Sequence, residues 1–457
     1  MNRREFLSIA GAGVAASAQE RAARTPPNVI LIYADDLGYG DLGCYGSPIR
    51  TPHLDRLARD GARFTHFLSA NPVCSPSRAA LLTGRYPTRA GVPRVLFPKD
   101  EHGLPDSEVT MAQALKTRGY RTMCVGKWHL GHKPRYLPTN RGFDEYFGIP
   151  YSNDMSPRPL LHNLETVEEP AKLETLTPRY TEQAVRFIER SQGAPFFLYM
   201  PHTYPHIPLA ASERFRGKSP QGIYGDVVEE IDWSVGQLMA ALARAGADRN
   251  TIVLFSSDNG PWYQGSPGRL RGRKGMTWEG GVRVPLVAWM PGRIPKGRVC
   301  AGLASTIDLM PTLSGLCGAA PGANPVDGID IWPLLSGRAN ELEREAILYF
   351  DDVHLQCARL GRYKLHVARY NNVTYSPAPA GGRRNLPLRR PELYDVVTDV
   401  DESFDIAAAH PEIVRDIQAR MERLMAAFPP EIRQAWAETK AARSADTPAG
   451  QVTRPAA

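Results

Sequence analysis

The sequence predicts an α/β fold in which helices cover both faces of a mostly parallel central sheet. Four apolar runs carry this prediction, because they are continuous and rich in β-branched and aromatic residues, as in strands buried on both faces. Helical stretches lie between the runs, as in chains that join parallel strands. The predicted strands cover residues 28–33, 122–125, 195–200 and 251–255, and the predicted helices cover residues 110–118, 180–190 and 227–245. A chain of 457 residues also exceeds one small core, so we expect a second, smaller domain.

The pattern changes after about residue 345, which predicts a main domain over residues 26–345 and a C-terminal α+β subdomain over residues 346–440. Residues 346–350 and 361–366 are typical of strands in a short antiparallel sheet, and residues 411–427 have helical periodicity. Gly- and Pro-rich connections lie around residues 376–391. Residues 441–457 are small and polar, so we expect a disordered tail there.

The first 18 residues have the features of a twin-arginine signal peptide. Arg3 and Arg4 precede a short, weakly apolar stretch that ends in an A-x-A pattern at residues 16–18. The alternative is an Ala-rich tail without a targeting role. No later segment approaches the ~18 apolar residues that span a bilayer. We therefore expect an exported protein, periplasmic or secreted, without a stable membrane anchor.

The overall composition is that of a globular enzyme with a mild positive charge. The chain is 42% hydrophobic and 23% charged, and 55 Lys and Arg against 48 Asp and Glu give a formal charge of +7. This excess suits anionic substrates. It is diffuse, with no basic run interleaved with aromatic residues, so we expect no nucleic-acid partner. Six cysteines at this length are not a disulfide framework, and no C-x-x-C pair suggests zinc.

Polar residues follow each of the four predicted strands. Asp35 and Asp36 follow the first strand, Lys127 and His129 the second, a loop rich in His and Pro the third, and the pair Asp258 and Asn259 the fourth. Ligands bind beyond the carboxyl ends of the strands in open parallel sheets. The four strand ends therefore predict one shared site.

The acidic residues at two of these strand ends are candidate metal ligands. Asp35 and Asp36 would point to opposite faces of a strand, so binding one ion requires a turn, which Gly38 and Gly40 permit. Together with Asp258 and Asn259 they offer four hard oxygen ligands. Such a set favours Ca²⁺ or Mg²⁺ over zinc. The alternative is that both pairs are ordinary turn residues.

Residues 74–85, C-S-P-S-R-A-A-L-L-T-G-R, predict a short helix that begins at a cysteine. Pro76 suits a first helical turn and Gly84 a helix end. Cys74 then lies at the electropositive start of the helix, and Arg78 returns to the same face one turn later. A sulfur in that position indicates a reactive site. The alternative is a half-buried cysteine without chemistry.

This string resembles the C-x-P-S-R-x-x-x-L-T-G signature of the type I sulfatases, and the chain resembles the arylsulfatase A-type members of that family. The resemblance implies an alkaline-phosphatase-like version of the predicted fold. It also implies that a formylglycine-generating enzyme oxidises Cys74 to formylglycine, whose hydrate is the nucleophile. The implied metal is one Ca²⁺ ion, with Mg²⁺ as the less favoured choice. Its implied ligands are Asp35, Asp36, Cys74 after modification, Asp258 and Asn259.

Further strings extend the resemblance over residues 28–405. In G-K-W-H-L-G at residues 126–131, Lys127 corresponds to a cation that stabilises the hydrate and His129 to a base. Residues 274–285, K-G-M-T-W-E-G-G-V-R-V-P, place a sulfate-binding lysine at Lys274. In P-H-I-P-L at residues 205–209, His206 corresponds to a sulfate-contacting histidine, with His202 as the competing candidate.

The segment at residues 148–154 resembles one whose serine approaches the sulfate, here Ser152. The metal, Arg78 and the lysines would neutralise the sulfate charge, and His206 or Lys274 would serve the leaving group. The predicted function is hydrolysis of an aryl or carbohydrate sulfate ester. Two alternatives remain open, namely a phosphonate or phosphodiester hydrolase and a non-catalytic binder of sulfated glycans.

Overall fold

The structure, a computed structural model, describes residues 26–371 and 382–445. The predicted signal peptide at residues 1–18 lies outside the described residues, as do residues 446–457 of the predicted tail. The strands of the described residues are, in chain order, β1 (Asn28–Ala34), β2 (Ala62–Phe64), β3 (Phe67–Leu68), β4 (Arg121–Val125), β5 (Glu145–Gly148), β6 (Leu160–His162), β7 (Glu165–Glu168), β8 (Phe196–Pro201), β9 (Thr251–Ser257), β10 (Leu286–Trp289), β11 (Arg298–Cys300), β12 (Ala304–Ser305), β13 (Ile347–Asp351), β14 (His354–Leu360), β15 (Tyr363–Tyr370) and β16 (Asn385–Asp395). The α-helices of the same residues are α1 (Pro52–Asp60), α2 (Cys74–Thr83), α3 (Met111–Lys116), α4 (Leu176–Arg190), α5 (Gly222–Arg244), α6 (Glu279–Val282), α7 (Leu309–Leu316), α8 (Trp332–Leu335), α9 (Pro411–Met425) and α10 (Pro430–Ala445).

Ten strands form one central sheet in the order β11-β2-β10-β9-β1-β8-β4-β5-β6-β7. The five strands from β9 to β5 are parallel. Strand β10 runs antiparallel between β9 and β2, and β6 and β7 add antiparallel strands at the opposite edge. The predicted strands correspond to β1, β4, β8 and β9, which are neighbours in this sheet. The mostly parallel central sheet is therefore confirmed.

Alternating side chains of β1 pack on opposite faces of the sheet. Ile30 and Ile32 join a core formed with α1, α4 and α5, and Leu31 and Tyr33 join a core formed with α2, α3 and α7. Successive side chains of a strand point to opposite faces, so a strand covered on both sides needs apolar residues throughout. Helices on both faces confirm the predicted α/β class. No helix in the described part of the chain combines the length and the hydropathy needed to cross a bilayer.

The C-terminal subdomain contains a four-stranded antiparallel sheet in the order β13-β14-β15-β16, with α9 and α10 packed against it. Two boundaries differ from the sequence-based expectation. Strand β16 begins at Asn385, within the stretch expected to be a connection. Its prolines at 387 and 391 are compatible with a strand because β16 lies at the edge of the sheet, where proline is tolerated. Helix α10 also continues to Ala445, beyond the expected start of the tail at residue 441.

A buried ion cluster joins the two parts of the molecule. Glu279, at the start of α6, is fully buried, and its carboxylate lies 3.2 Å from Lys364 Nζ and 3.1 Å from Arg359 Nη1 in the C-terminal sheet. Its backbone N–H donates to Glu402 at 2.7 Å, and Glu402 lies 3.2 Å from His366 Nε2. Because α6 closely follows Lys274, the subdomain braces the segment that carries this candidate site residue.

We expect Glu279→Gln to lower the free energy of unfolding by about 3–5 kcal/mol, because Arg359 and Lys364 would stay buried without their carboxylate partner. Urea denaturation followed by circular dichroism measures this change. Glu341→Gln is the matched control, since Glu341 is exposed, and we expect it to change stability by less than about 0.5 kcal/mol. A Glu279→Gln protein as stable as the parent would contradict a stabilising role for the cluster.

Candidate active site

The carboxyl ends of β9, β1, β8 and β4 meet at one edge of the sheet. Asp258 follows β9, Asp35 follows β1, His206 lies in the loop after β8, and Lys127 follows β4. These four strands are adjacent and parallel, so their ends bring the candidate residues together. The single site expected from the strand ends is present in the structure.

Cys74 is the first residue of α2 and lies at the centre of this site. Its Sγ is 3.6 Å from Asp35 Oδ1, and the side chain is buried. The helix follows the predicted pattern, with Pro76 in the first turn and Gly84 in a left-handed conformation at its end. Burial raises the pKa of the Cys74 thiol to about 12, despite the nearby charges of Lys127 and Lys274. The unmodified sulfur is therefore a neutral thiol, and the expected activation by the helix start is outweighed by desolvation.

Arg78 is a fixed cation in the site, as the helical spacing predicted, and its partners are two carboxylates and a carbonyl. Its guanidinium donates to Asp258 Oδ2 at 3.2 and 2.8 Å and to the Lys127 carbonyl at 2.8 Å. Asp35 Oδ2 is 3.4 Å away. The side chain is fully buried. Its contacts assign it to holding two carboxylates in place.

The turn after β1 presents both adjacent aspartates to one site, as required for shared binding. Asp36 itself makes this turn, with φ of +65°, a left-handed conformation that Asp tolerates better than most residues. Gly38 and Gly40, which were expected to permit the turn, do not have positive φ values. Instead, the backbone at residues 266–268 approaches them so closely that a Cβ would not fit.

Asp258 and Asn259 complete the acidic cluster. Asp258 Oδ1 accepts the backbone N–H of Asp36 at 3.1 Å. Burial and the charge of Asp35 raise the pKa of Asp258, while Arg78 opposes this shift. Asn259 Nδ2 donates to Asp36 Oδ1 at 2.7 Å and to the Gly260 carbonyl at 2.9 Å. Because both partners are acceptors, the amide orientation is determined by these bonds.

The opposite atom of this amide, Asn259 Oδ1, is buried and has no hydrogen-bond partner among the described residues. Ligand atoms of Asp35, Asp36, Cys74 and His206 lie within 4.8 Å of one another in the same region. Buried polar groups normally have partners. The clustered carboxylates of Asp35 and Asp36, with a buried and unpartnered amide oxygen on the neighbouring Asn259, therefore fit a hard cation with oxygen ligands.

Two lysines pair with the two adjacent aspartates. Lys127 Nζ donates to Asp35 Oδ2 at 2.5 Å and to Ser152 Oγ at 3.0 Å. Lys274 Nζ donates to Asp36 Oδ2 at 2.9 Å. Ser152, inferred only from the resemblance, thus lies within the site. These contacts place two positive charges where an anionic ester group would be attracted.

His129 is set up as a proton acceptor. Its Nε2 lies 2.9 Å from the Leu96 carbonyl, which can only accept, so Nε2 carries the proton and Nδ1 carries the lone pair. Nδ1 is buried and has no hydrogen-bond partner in the described part of the chain. Burial, with the charges of Lys127 and Arg78, holds the pKa of His129 well below its ordinary value. The ring is therefore neutral, as a base must be.

The structure distinguishes the two candidate histidines after β8. His206 Nε2 is 3.7 Å from Asp36 Oδ2, and His206 Nδ1 is 2.5 Å from the Ile207 carbonyl. Neither ring nitrogen of His202 has a hydrogen-bond partner among the described residues. Burial lowers the pKa of His202 to about 3, so it is a neutral core residue. The geometry favours His206 as the site residue.

We expect His206→Gln to lower kcat/KM for a sulfate ester by about 10²-fold, since one positioned proton donor or acceptor contributes about this much. His202→Gln is the matched control and should leave kcat/KM within about threefold, while lowering Tm because it changes a buried side chain. Steady-state kinetics and thermal denaturation of both variants measure these effects. Equal losses of kcat/KM in the two variants would contradict the assignment.

A cavity of about 650 Å³ opens above these groups, within the usual range for ligand pockets. Six buried side chains form what we call the polar floor, namely Asp36, Cys74, His129, Ser152, His206 and Lys274. The role of the Leu96 carbonyl could not be predicted from the sequence, since a backbone acceptor leaves no trace in residue type. Trp262, which lines the cavity, was not predicted either, although it follows the Asp258-Asn259 turn by three residues.

Two protein-family models match the chain. The model described as Sulfatase matches residues 27–319, and the model described as C-terminal region of aryl-sulfatase matches residues 342–453. This chain belongs to the sulfatase family. The family predicted from residues 74–85 is thereby confirmed.

Known relatives of the sulfatase agree with this assignment. It is 40% identical over 444 residues to arylsulfatase A of Homo sapiens, with 87% of each chain covered. It is 44% identical over 404 residues to N-acetylgalactosamine-6-sulfatase of Canis lupus familiaris, covering 80% of this chain and 75% of that protein. A Bacteroides thetaiotaomicron structure, solved in work on the metabolism of multiple glycosaminoglycans, is 29% identical with a TM-score of 0.79, covering 88% of this chain and 99% of that one. The sulfatase is a sulfuric ester hydrolase, which sets aside the non-catalytic alternative.

Proposed function

We propose that this sulfatase hydrolyses an aryl or carbohydrate sulfate ester with a formylglycine made from Cys74 and a bound Ca²⁺ ion. The observation that carries the proposal is the position of Cys74 on the polar floor, where its Sγ lies 3.6 Å from Asp35 Oδ1 and within 4.8 Å of ligand atoms of Asp35, Asp36 and His206. The names of the relatives, arylsulfatase A and N-acetylgalactosamine-6-sulfatase, support the two substrate classes.

Asp35, Asp36, Asp258 and Asn259 would hold the ion, together with the modified side chain of Cys74. All of these ligands are oxygen atoms, which Ca²⁺ accepts in flexible arrangements, whereas Mg²⁺ demands a nearly ideal octahedron and retains water. When bound, the ion neutralises negative charge on the sulfate group. Arg78 supports this site, because its hydrogen bonds to Asp258 hold that carboxylate in place.

The neutral thiol of Cys74 is a poor nucleophile, which supports its replacement by an aldehyde. A hydrated aldehyde supplies one hydroxyl that attacks sulfur and a second whose deprotonation re-forms the aldehyde and releases sulfate. Cys74 would be oxidised by a separate formylglycine-generating enzyme during maturation. His129 Nδ1 has no hydrogen-bond partner in the part of the chain that the structure describes, and the bond of Nε2 to the Leu96 carbonyl leaves Nδ1 unprotonated. It is therefore suited to remove the proton from the second hydroxyl.

The remaining floor residues bind and orient the ester. Lys274, His206 and Ser152 line the cavity, and Lys274 and Ser152 offer donors to the sulfate oxygens. Lys127 fixes Ser152 and Asp35 relative to each other. Neutral His206 carries its proton on Nδ1, bonded to the Ile207 carbonyl. Lys274, which has three donors, is therefore the better placed group to donate to the leaving oxygen.

Turnover of paired chromogenic esters tests the substrate class and the metal. The purified, matured enzyme should hydrolyse p-nitrophenyl sulfate with kcat/KM at least about 10²-fold above that for bis(p-nitrophenyl) phosphate. A chelator should remove the activity, and Ca²⁺ should restore it better than Mg²⁺. Activity on the phosphorus ester alone would overturn the proposed reaction, and full activity after verified removal of metal would overturn the proposed ion.

We also propose that the protein is exported by the twin-arginine route to the periplasm or beyond, on the evidence of Arg3, Arg4 and the pattern at residues 16–18. This route carries folded proteins, so Cys74 would meet its maturation enzyme in the cytoplasm. Replacing both arginines with lysine should leave the protein in the cytoplasmic fraction of the producing cell. Unchanged export of that variant would refute the proposed route.

A further inference from the structure

We propose that Trp262 determines substrate specificity, as the main element of an apolar wall that binds the first ring of the ester's organic part. The proposal rests on the sulfatase function argued above and adds to it the place where the leaving alcohol binds. Six apolar side chains line the cavity, and we call them the apolar wall: Val95, Phe97, Pro98, Met155, Ile207 and Trp262.

Burial orders the cavity from a polar interior to a mouth where the apolar wall lies beside the exposed Lys99, Asp154 and Ser156. Each polar-floor residue is at most 6% exposed. Apart from the buried Val95, the wall residues are half-buried or, like Phe97 at 38%, exposed. An anionic sulfate therefore meets its donors at depth, and the organic group meets apolar surface nearer to solvent.

The direction of the reaction places the leaving alcohol against this wall. In an in-line displacement at a tetrahedral sulfur or phosphorus, the attacking and leaving oxygens lie on opposite sides of the central atom. The nucleophile arises from Cys74 on the floor, so the leaving oxygen points toward the mouth. The ring that carries this oxygen then lies between the wall residues.

Hydrogen bonds hold one side of the wall against the floor. Leu96, between Val95 and Phe97, donates its N–H to Ser75 Oγ at 3.1 Å and accepts from His129 at 2.9 Å. Ser75 directly follows Cys74 in the sequence. The loop that carries Phe97 is therefore hydrogen-bonded to His129 of the polar floor and to Ser75, the residue after Cys74.

Hydrogen bonds also hold the Trp262 side of the wall close to the polar floor. The Pro261 carbonyl accepts the backbone N–H of Lys274 at 3.0 Å, and the Trp262 carbonyl accepts from Arg273 Nη1 at 2.9 Å. Trp262 also follows Asn259 by three residues. A wall fixed to the floor in this way selects by shape, because the distance from sulfate to ring cannot adjust freely.

The chemistry of the wall identifies the class of substrate. An indole and a phenyl side chain offer flat apolar surfaces that suit an aromatic ring or the C–H face of a pyranose. A cavity of about 650 Å³ accepts a sulfate with one or two such rings. We infer a preference for sulfate monoesters of alcohols that contain a ring, over esters of short acyclic alcohols.

Kinetics of Trp262 variants test the inference. For p-nitrophenyl sulfate, Trp262→Ala should raise KM by about 5- to 10-fold with kcat within about threefold, and Trp262→Phe should restore most of the loss. Competitive inhibition by inorganic sulfate, which has no ring, should change by less than about twofold. Phe404→Ala is the matched control, because Phe404 is an exposed aromatic residue that does not line the cavity.

A binding measurement keeps the test independent of turnover. In a Cys74→Ala background, calorimetry should show phenyl sulfate binding at least about 5-fold more tightly than methyl sulfate, and Trp262→Ala should remove that difference. An unchanged ratio would overturn the role of Trp262. An equal weakening of sulfate, methyl sulfate and phenyl sulfate would also overturn it, by showing that Trp262 only supports the floor. If the parent enzyme shows no turnover of sulfate esters while the preference for phenyl sulfate over methyl sulfate persists, the result would count against the proposed function alone.

Discussion

Replacing Cys74 with alanine is expected to lower kcat/KM for p-nitrophenyl sulfate by at least about 10⁴-fold, as removal of a covalent nucleophile does in other hydrolases. The cause is chemical rather than structural, because alanine can adopt the helical start and leaves only a small change of volume. The parent protein should show a mass loss of about 18 Da in the peptide that carries Cys74, since the thiol becomes an aldehyde. It should also react with a hydrazide probe, and the alanine variant should not.

Cys44→Ser is the matched control for this experiment. Cys44 is half-buried and lies outside the candidate site, so its replacement should leave both the hydrazide reaction and kcat/KM within about twofold of the parent. Active protein with an unmodified thiol at Cys74 would refute the formylglycine mechanism. Residual activity above about 1% in Cys74→Ala would show that another group is the nucleophile.

Asp36→Asn is expected to lower kcat/KM by about 10²- to 10³-fold, because it removes one charged ligand from the proposed ion site and one partner of Lys274. Asparagine tolerates the left-handed backbone of residue 36, so the turn should persist. The variant should hold less than half of the calcium that the parent holds, as measured by elemental analysis of dialysed protein. Its far-ultraviolet circular dichroism should match that of the parent.

Asp416→Asn is the matched control, because it removes a carboxylate that lies outside the candidate site. Asp416 lies on the exposed face of α9 in a surface pair with Arg420, and such pairs contribute little. Calcium content and kcat/KM should therefore be unchanged in this variant. Full calcium content in Asp36→Asn would remove Asp36 from the proposed ligand set. A loss of circular dichroism signal would show that the residue is needed for folding instead.

The arrangement of the central strands could be predicted from the sequence because it follows from local patterns. Strand β1 is apolar at almost every position since both its faces are covered, and that pattern is visible in residues 28–33 alone. Short strands such as β6 and β12 could not be predicted, because two or three residues carry no periodicity. Strand β16 was missed because its prolines argue against a strand unless its place at a sheet edge is known.

In the candidate site, too, some features could be predicted from the sequence and others could not. The identity of Cys74 as the central residue was readable, because the string at residues 74–85 combines a helix start, a helix end and a family signature. The partners of Arg78 could not be predicted from the sequence. Helical spacing predicted only that Arg78 returns to the face of Cys74, and the tertiary structure brings Asp258, at the end of β9, within 2.8 Å of its guanidinium.

The sequence by itself therefore determined the fold class, the family and the set of residues from which the site is built, because these depend on residue types and on spacing along the chain. Only the tertiary structure decided how those residues are used. It selected His206 over His202, left Asn259 Oδ1 without a partner among the described residues, made the Cys74 thiol neutral by burial and brought Trp262 to the cavity. Each of these depends on contacts between segments far apart in the chain, and desolvation and hydrogen bonding act through such contacts rather than through sequence.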